Sequence, residues 1–284
     1  MVDIKQKKIK KLFNIETEKA VMIPMDHGIV EGAIEGLEDP VKCIKRFTEL
    51  GADALLLNYG VLKINANYLH GLKKSIGIIM TVDYNLMWQS WKSPIDGDAI
   101  LGHCNYASVE LAAKYGADAV KVLFPLGLEP ELTLDYYKDI AEIIKEADKC
   151  DMPVMIEPLT LGKYIPKDKK YDANIIADGC RIAVELGADI IKAPFSGYDG
   201  QKVFAEMCSN LHVPVVILGG SKKGNLKSIM DTARLGIDAG AKGIIFGRNV
   251  WQRPVEEMER TIRALQDIVH KGVSSDEVMV KYNL

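Results

Sequence analysis

Short apolar runs recur along the whole chain and are separated by amphipathic stretches. The runs are rich in valine, leucine and isoleucine and are often bounded by glycine or proline, which is typical of short buried strands. Eight runs are predicted as strands: 20–25, 53–58, 76–82, 118–124, 153–158, 189–194, 214–218 and 243–246.

Most successive strands are separated by a stretch whose apolar residues have helical spacing. The predicted helices are 40–50, 105–115, 132–149, 172–186, 199–211, 225–239 and 254–270. Strands that alternate with helices favour parallel pairing with right-handed crossovers, so the chain is predicted to be an α/β protein with a single (β/α)8 TIM barrel over residues 1–284. A doubly wound open sheet is the alternative, but no G-x-G-x-x-G motif follows an early strand.

Two segments fit the alternation less clearly. In 59–105 the second helix is poorly marked, and 88–102 resembles a long loop. Residues 1–15 are predicted as a helical extension that contains five lysines. Its apolar residues at roughly helical spacing are Ile4, Ile9, Leu12 and Phe13. An amphipathic helix that covers the bottom of the barrel explains this spacing better than a nucleic-acid-binding arm does.

Composition narrows the class of protein. The chain is 48% hydrophobic with a formal net charge of −3, which gives no general attraction to nucleic acid or to an anionic membrane. The five cysteines are scattered without a C-x-x-C pair, which favours a reducing cytoplasm over a disulfide framework or zinc cluster. No apolar run approaches the ~18 residues of a spanning helix, and the basic N-terminus lacks the features of a signal peptide.

A faint internal repeat places two lysines at equivalent positions. A Gly-Ala-Asp or Gly-Ala-Lys tripeptide closes a helix and starts a strand at 51–53, 116–118, 187–189 and 240–242. The residues five positions after each glycine are Leu56, Lys121, Lys192 and Ile245. Alternate strands of an eight-stranded barrel contribute the four side chains of one interior layer, so these four residues are predicted to share a layer.

Packing alone does not explain two lysines in such a layer, because each uncompensated buried charge costs several kcal/mol. Two neighbouring ammonium groups also lower each other's pKa, which predicts a neutral amine near neutral pH. A neutral amine in an apolar cavity is a nucleophile for carbonyl groups. Lys192 is therefore the predicted nucleophile, with Lys121 as its partner.

The other candidate catalytic residues lie at the carboxyl ends of the predicted strands, where the active sites of such barrels are found. Glu157 ends the fifth strand and is a candidate acid and base for dehydrating a carbinolamine. Asp26 follows the first strand and could either hold Lys192 or orient a substrate hydroxyl. His27 is expected to be a hydrogen-bonding partner at the site rather than a metal ligand, because the histidines form no i, i+4 pair. No metal and no cofactor is predicted.

Glycines after the seventh and eighth strands predict a phosphate site, since backbone N–H groups there commonly bind phosphate in these barrels. The candidate phosphate-binding residues are Gly219, Gly220, Ser221, Gly247 and Arg248. Glycine allows the backbone to approach an oxyanion closely, and an arginine adds a fork of donors. Lys222 follows this segment and is a further candidate.

Several segments together carry a family resemblance, and they are 12–19, 24–28, 187–192, 219–222 and 247–252. They resemble the class I aldolase family that includes archaeal-type fructose-bisphosphate aldolase, 2-amino-3,7-dideoxy-D-threo-hept-6-ulosonate synthase and the thiolase of autoinducer-2 phosphate breakdown. The resemblance implies that Lys192 forms a Schiff base, that Asp26 assists, and that the glycines with Arg248 hold a phosphate. It also implies homo-oligomeric assembly, with a decamer as one form.

The chain departs from the archaeal-type pattern at 157–160, where those members carry a catalytic tyrosine and this chain reads Glu-Pro-Leu-Thr. The set Asp26, Lys121, Glu157 and Lys192 is instead similar to tagatose-bisphosphate aldolase and the conventional class I fructose-bisphosphate aldolases. The resemblance therefore implies reversible cleavage of a phosphorylated ketose to dihydroxyacetone phosphate and an aldehyde. The alternatives are a transferase of the same family, an aldolase for a sulfonated ketose phosphate, and a non-enzymatic phosphosugar sensor.

Overall fold

The computed structural model describes residues 3–73, 75–87, 100–222 and 224–284. The strands in this part of the chain are β1 (Ala20–Pro24), β2 (Ala54–Asn58), β3 (Gly77–Thr81), β4 (Asp83–Met87), β5 (Ile100–Asn105), β6 (Ala119–Pro125), β7 (Val154–Leu159), β8 (Ile190–Ala193), β9 (Val215–Leu218) and β10 (Gly243–Ile245). Eight of them pair in parallel as a closed barrel in the order β1-β10-β9-β8-β7-β6-β3-β2. The predicted barrel and its eight strands are confirmed.

Helices follow or cover these strands, and those in the described residues are α1 (Ile4–Lys11), α2 (Gly28–Glu31), α3 (Pro40–Glu49), α4 (Tyr59–His70), α5 (Val109–Lys114), α6 (Pro130–Lys149), α7 (Ala173–Leu186), α8 (Gln201–Leu211), α9 (Leu226–Asp238), α10 (Arg248–Trp251), α11 (Val255–Lys271) and α12 (Ser275–Tyr282). The seven predicted helices are confirmed, although α5 is shorter than expected because β5 occupies residues up to Asn105. Over the same residues, no helix is both long and apolar enough to cross a membrane.

The segment between the second and third barrel strands contains a full helix, α4. Its apolar pattern is hard to recognise because Asn65 lies on the buried face between Leu62 and Leu69. The Asn65 side chain satisfies its own donor by binding the carbonyl of Val61 at 2.8 Å, so burial of this amide is tolerated. Sequence periodicity missed the helix because one polar residue interrupts its apolar stripe.

The predicted loop over 88–102 is wrong at its end, because residues 100–102 belong to β5. β4 and β5 form an antiparallel hairpin that lies outside the barrel order, between β3 and β6 along the chain. Asp83 and Asn85 of β4 are both buried, so the inward-facing side of this strand is polar. A polar inner face does not produce the apolar alternation that identifies a strand. Residues 88–99 of the predicted loop lie outside the described residues.

The predicted interior layer is confirmed by strand register. A path along paired residues across two strands ends, each time, two residues before the next member of the layer. The four paths are Leu56–Ile79–Ala119, Lys121–Met155–Ile190, Lys192–Val216–Gly243 and Ile245–Met22–Ala54. This constant shift is the stagger that the tilted strands of a closed barrel require, so the four residues lie in one layer. Leu56 and Ile245 also belong to the apolar cluster inside the barrel, and the two lysines complete their layer.

The aspartates of the repeat explain how this register arises. Each one starts a strand and accepts a hydrogen bond from a backbone N–H at the start of a neighbouring barrel strand. These bonds are Val21 N to Asp53 at 2.7 Å, Ile78 N to Asp118 at 2.9 Å and Val154 N to Asp189 at 2.9 Å. The same bond at the same position in three strand pairs gives those pairs the same relative height. The fourth copy has Lys242, which has no side-chain acceptor.

Helix α1 closes the opposite, amino-terminal end of the barrel, as predicted. Ile9 and Leu12 are buried in the same cluster as the barrel interior. The helix is held in place by ion pairs, including Lys11 to Asp118 at 2.9 Å and Lys5 to Asp189 at 2.9 Å. The lysines of this segment thus bind the repeat aspartates at the barrel bottom.

Because Leu12 is fully buried, the Leu12→Ala variant is expected to lose about 2–5 kcal/mol of unfolding free energy. Ile15 is 94% exposed, so Ile15→Ala is a matched control that should change stability by less than about 0.5 kcal/mol. Urea unfolding measures both. Equal stability of the two variants would contradict the closing role of the helix.

Candidate active site

The carboxyl ends of the barrel strands surround a cavity of about 300 Å³. The predicted site residues that line it are Asp26, His27, Lys121, Glu157, Lys192, Gly219, Gly220, Ser221, Gly247 and Arg248. Lys222 is exposed and is not part of the lining. Strands far apart in sequence thus bring all but one of the predicted site residues to one cavity.

Glu157 lies between the two lysines of the interior layer. Its Oε2 is 2.8 Å from Lys121 Nζ, and its Oε1 is 3.0 Å from Lys192 Nζ. β7, which carries Glu157, lies between β6 and β8 in the barrel. The exposed fraction is only 5% for Lys121, 6% for Glu157 and 7% for Lys192. The three side chains form one buried, charged cluster in which each carboxylate oxygen faces one amine.

The carboxylates around this cluster determine its protonation. Burial alone would raise the pKa of Glu157, but the charges of Lys121 and Lys192 outweigh burial and lower this pKa below its ordinary value. Burial alone would lower the pKa of Lys121, but Glu157, Asp83 and Asp26 together raise it above its ordinary value. Of the two amines, Lys121 is therefore not the neutral one that the sequence predicts, because three carboxylates keep it charged.

Asp26 is oriented by β3. Its Oδ2 accepts a hydrogen bond from Thr81 Oγ1 at 2.8 Å and lies 4.0 Å from Lys121 Nζ. Although burial opposes ionisation, the charges of Lys121 and Lys192 lower the pKa of Asp26 to about 2. The sequence left two roles open for Asp26, namely to hold Lys192 or to orient a substrate hydroxyl. The lysine that lies within ion-pair distance of its carboxylate is Lys121 and not Lys192. The carboxylate is ionised and its position is fixed from the side of Lys121.

His27 lies at the wall of the cavity next to Asp26. Its ring packs edge-on against Trp251 with centroids 5.3 Å apart, and Trp251 Nε1 donates to the carbonyl of Pro24 at 3.0 Å. His27 Nδ1 is buried and has no hydrogen-bond partner in the described structure; Asp26 Oδ1 is 3.6 Å away. Burial, together with the charges of Arg248 and Lys192, lowers the pKa of His27 to about 4. The imidazole is neutral at neutral pH.

The candidate phosphate site is built from two tight backbone segments. Gly220 has a φ of +67°, which favours glycine. A Cβ on Gly247 would lie 3.0 Å from Pro24 Cγ, so this backbone also packs too closely for most side chains. Arg248 Nε is buried and no group of the described residues accepts its hydrogen bond. The site therefore combines a close-packed backbone with an unused cationic donor.

Asn249 joins the two segments and was not predicted as a site residue. Its Nδ2 donates to the carbonyls of Gly219 at 2.8 Å and Ser221 at 3.2 Å. These bonds hold the loop after β9 against the segment after β10, and the side chain itself is fully buried. The available signal was its position directly after the Gly-Arg pair at the end of the last strand.

Thr81 and Asp83 also line the cavity and were missed. They follow the same rule that identified Glu157 and Asp26, because Thr81 ends β3 and Asp83 lies just beyond it. The same rule, applied to the end of the third barrel strand, identifies both residues.

A barrel with buried lysines at the carboxyl ends of its strands is suited to an enzyme whose lysine amine adds to the carbonyl group of a substrate. Residues 20–253 match the family profile described as DeoC/LacD family aldolase. The chain belongs to this family and is an enzyme of the aldolase type.

Similar proteins cover nearly the whole chain. A 2-amino-3,7-dideoxy-D-threo-hept-6-ulosonate synthase from Halobacterium salinarum is 30% identical over 98% of this chain and 97% of its own. A 3-hydroxy-5-phosphonooxypentane-2,4-dione thiolase from Shigella flexneri is 28% identical over 98% of both chains. A solved Schiff-base-forming fructose-1,6-bisphosphate aldolase is 25% identical, covers 93% of this chain and 99% of its own, and has a TM-score of 0.76.

The low pKa of His27 predicts a pH-dependent stability. Because its pKa falls from 6.5 in the unfolded chain to about 4 in the folded protein, the unfolded chain binds an extra proton between these values. The unfolding free energy should therefore drop by about 3 kcal/mol as the pH falls from 6.5 to 4, with no contribution from His27 above this window. Asp26 does not contribute to this drop between pH 6.5 and 4. The stability that its low pKa provides is lost only at lower pH, as the pH falls through about 2.

A His27→Gln variant provides the comparison, since all other titrating groups are shared. Urea unfolding across this pH window should show a shallower loss of stability in the variant. Parallel pH profiles for the two proteins would contradict the buried, neutral imidazole.

Proposed function

We propose that this protein is a class I aldolase that reversibly cleaves a phosphorylated ketose to dihydroxyacetone phosphate and an aldehyde. The substrate is a ketose 1-phosphate or a fructose 1,6-bisphosphate-like ketose. The observation that carries the proposal is the position of Glu157 between Lys192 and Lys121, at 3.0 and 2.8 Å. One carboxylate can thereby serve an amine nucleophile on one side and an ammonium group on the other.

Lys192 is the proposed Schiff-base residue. Its Nζ passes a proton to Glu157 Oε1 and adds to the ketone carbon, which gives a carbinolamine. Protonation of the carbinolamine hydroxyl releases water and leaves an iminium. Glu157 is the nearest acid and base for both proton transfers. Lys121, whose pKa is raised by the surrounding carboxylates, stays charged and is therefore not the nucleophile.

Carbon–carbon cleavage follows from the same arrangement. Glu157 removes the proton of the C4 hydroxyl, the C3–C4 bond breaks, and its electron pair moves into the iminium to form an enamine. The aldehyde leaves, the enamine takes a proton at C3, and water releases dihydroxyacetone phosphate from Lys192. Lys121 stabilises the negative charge that develops on the C4 oxygen. Asp26, oriented by Thr81, accepts a hydrogen bond from a substrate hydroxyl.

We place the phosphate of the substrate at the cavity wall formed by the segments that follow β9 and β10. The proposed ligands are the backbone N–H groups of Gly219, Gly220, Ser221 and Gly247, with the guanidinium of Arg248. The buried, unpaired Nε of Arg248 supports this placement, because a buried donor without a partner is costly unless a ligand satisfies it. Neutral His27 contributes a hydrogen bond rather than a charge. Lys222 is outside this set.

A transferase is the second candidate, and the similarity to the heptulosonate synthase and the thiolase supports it. Both candidate functions use Lys192 and differ in the acceptor. A requirement for coenzyme A, or for aspartate semialdehyde as acceptor, would identify a transferase. Turnover of a ketose phosphate without either compound identifies the lyase and also excludes a sensor without catalytic activity. Turnover confined to a sulfonated ketose phosphate would identify that branch.

We also propose that the enzyme works in the cytoplasm, as a homo-oligomer, in carbohydrate metabolism. All five cysteines are free thiols, which supports a reducing compartment such as the cytoplasm. Homo-oligomeric assembly, with a decamer as one form, stays a prediction from the family resemblance. Carbohydrate metabolism is the process that a ketose phosphate substrate implies.

Borohydride reduction in the presence of dihydroxyacetone phosphate should add one substrate mass irreversibly to the protein. Peptide mapping should place the adduct on Lys192, and a Lys192→Met variant should show none. Lys222→Met is a matched control that should be labelled like the wild type, because Lys222 is exposed and outside the cavity. An adduct on any other lysine would sink the assignment.

Glu157→Gln should leave Schiff-base formation slow but detectable while cleavage falls by about 10²–10⁴-fold, the usual contribution of a general acid and base. Single-turnover trapping and steady-state cleavage measure the two steps separately. Cleavage at the wild-type rate would remove Glu157 from the mechanism.

A further inference from the structure

Asp83 and Asn85 line the cavity on the side opposite the candidate phosphate site. They lie just past β3, and three barrel strands lie between β3 and β9 in either direction, so the two strands face each other across the barrel. β9 leads directly into Gly219 and Gly220. A substrate whose phosphate lies at the glycines and whose ketone reaches Lys192 therefore extends its other half toward Asp83.

The carboxylate of Asp83 has one oxygen that is used and one that is not. Oδ2 accepts hydrogen bonds from Asn85 Nδ2 at 2.7 Å and from Leu123 N at 2.9 Å. Oδ1 is buried and has no hydrogen-bond partner within the described chain. A buried acceptor without a donor is costly. Because the residue lines the cavity, a donor on a bound ligand is the partner that this geometry calls for.

Asp83 is also held rigidly, which a specificity element requires. Asn85 Oδ1 accepts a hydrogen bond from Tyr136 Oη at 2.5 Å, and Asn85 in turn holds Asp83. The Tyr136 ring stacks on His103 with centroids 3.7 Å apart and an interplanar angle of 13°. His103 Nδ1 lies 3.4 Å from Asp139 Oδ2. A continuous polar chain thus connects Asp83 through the hairpin to α6.

The two walls of the cavity prefer different chemical groups. The wall with Arg248 offers a cation and backbone donors, which suit a phosphate. The wall with Asp83 offers a carboxylate, which repels a phosphate and accepts a hydrogen bond from a hydroxyl.

We propose that Asp83 is a specificity-determining residue whose free Oδ1 accepts a hydrogen bond from a hydroxyl group on the aldehyde half of the substrate. The proposal rests on the aldolase function and on the phosphate site proposed above. Of the two substrate classes proposed above, it favours the ketose 1-phosphate, whose aldehyde half carries no second phosphate. It assigns the enzyme to hydroxylated aldehydes such as glyceraldehyde in preference to aldehydes that lack hydroxyl groups. A site with a buried acceptor rejects an analogue without the donor, because the acceptor is then left unpaired.

The test compares addition of dihydroxyacetone phosphate to glyceraldehyde and to propanal, which has the same carbon chain without hydroxyl groups. The wild type should favour glyceraldehyde in kcat/KM. In Asp83→Asn this preference should fall by about 10- to 100-fold, the loss expected for one hydrogen bond to a charged group. The loss should be larger with glyceraldehyde than with propanal, because only glyceraldehyde loses a hydrogen bond, whereas a changed charge near Lys121 affects both aldehydes alike. Borohydride trapping of dihydroxyacetone phosphate on Lys192 should still be detected in the variant, which shows that it folds and forms the Schiff base.

Asp118→Asn is the matched control, because Asp118 is likewise a buried carboxylate that accepts a backbone N–H but lies at the barrel bottom. It should keep the wild-type preference. Tyr136→Phe keeps the ring and removes the bond to Asn85, so it tests the proposal even if Asp83→Asn fails to fold. It should lower the preference by a smaller factor of about 3- to 10-fold.

The outcomes separate the two proposals. An unchanged preference in both the Asp83 and Tyr136 variants would overturn the role of Asp83, as would an equal loss with both aldehydes, which would show that Asp83 acts through Lys121. Absence of a trapped adduct on Lys192 in the wild type would instead overturn the aldolase function itself.

Discussion

The bridge from Glu157 to the amines of Lys121 and Lys192 is the interaction on which the rest of this site depends. Two lysines inside a barrel would each cost several kcal/mol if left without compensation. Glu157 contacts both of them, and Asp26 and Asp83 add further negative charge near Lys121. Each buried amine therefore has a carboxylate within a few ångströms, although the three side chains are only 5–7% exposed. Removing any one charge leaves the others uncompensated, which couples the fold of the barrel top to its chemistry.

The two ends of the barrel have different roles: the bottom contributes stability, and the top carries the reactive groups. At the bottom, α1 fills the opening with Leu12, and the repeat aspartates bind both its lysines and the backbone of neighbouring strands. Those same aspartates give three strand pairs a common height, and this height is what puts Lys121 and Lys192 in one layer. A stabilising feature of the lower end thus positions reactive groups at the upper end. The cavity itself is polar at both walls and apolar below.

Local signals in the sequence were sufficient for the barrel. The strands are short apolar runs with glycine or proline at their ends, and the Gly-Ala-Asp repeat indicated their register well enough to place Lys121 beside Lys192. The hairpin was not predictable in this way because Asp83 and Asn85 turn a polar face inward, which hides a strand from periodicity. The raised pKa of Lys121 was not predictable either, because it depends on three carboxylates from β7, β4 and the segment after β1, whose convergence is a tertiary property. Lys222 follows a glycine loop that faces the cavity, yet sequence position alone could not show that its own side chain does not.

The most direct test of this account is a crystal structure of the enzyme after borohydride reduction with dihydroxyacetone phosphate. We expect a covalent bond between Lys192 Nζ and C2 of the substrate. We also expect the phosphate to lie against Gly219, Gly220 and Arg248, with Lys121 unmodified and beside Glu157. A bond to Lys121, or a phosphate on the side of Asp83, would contradict both the assignment of the nucleophile and the polarity of the cavity.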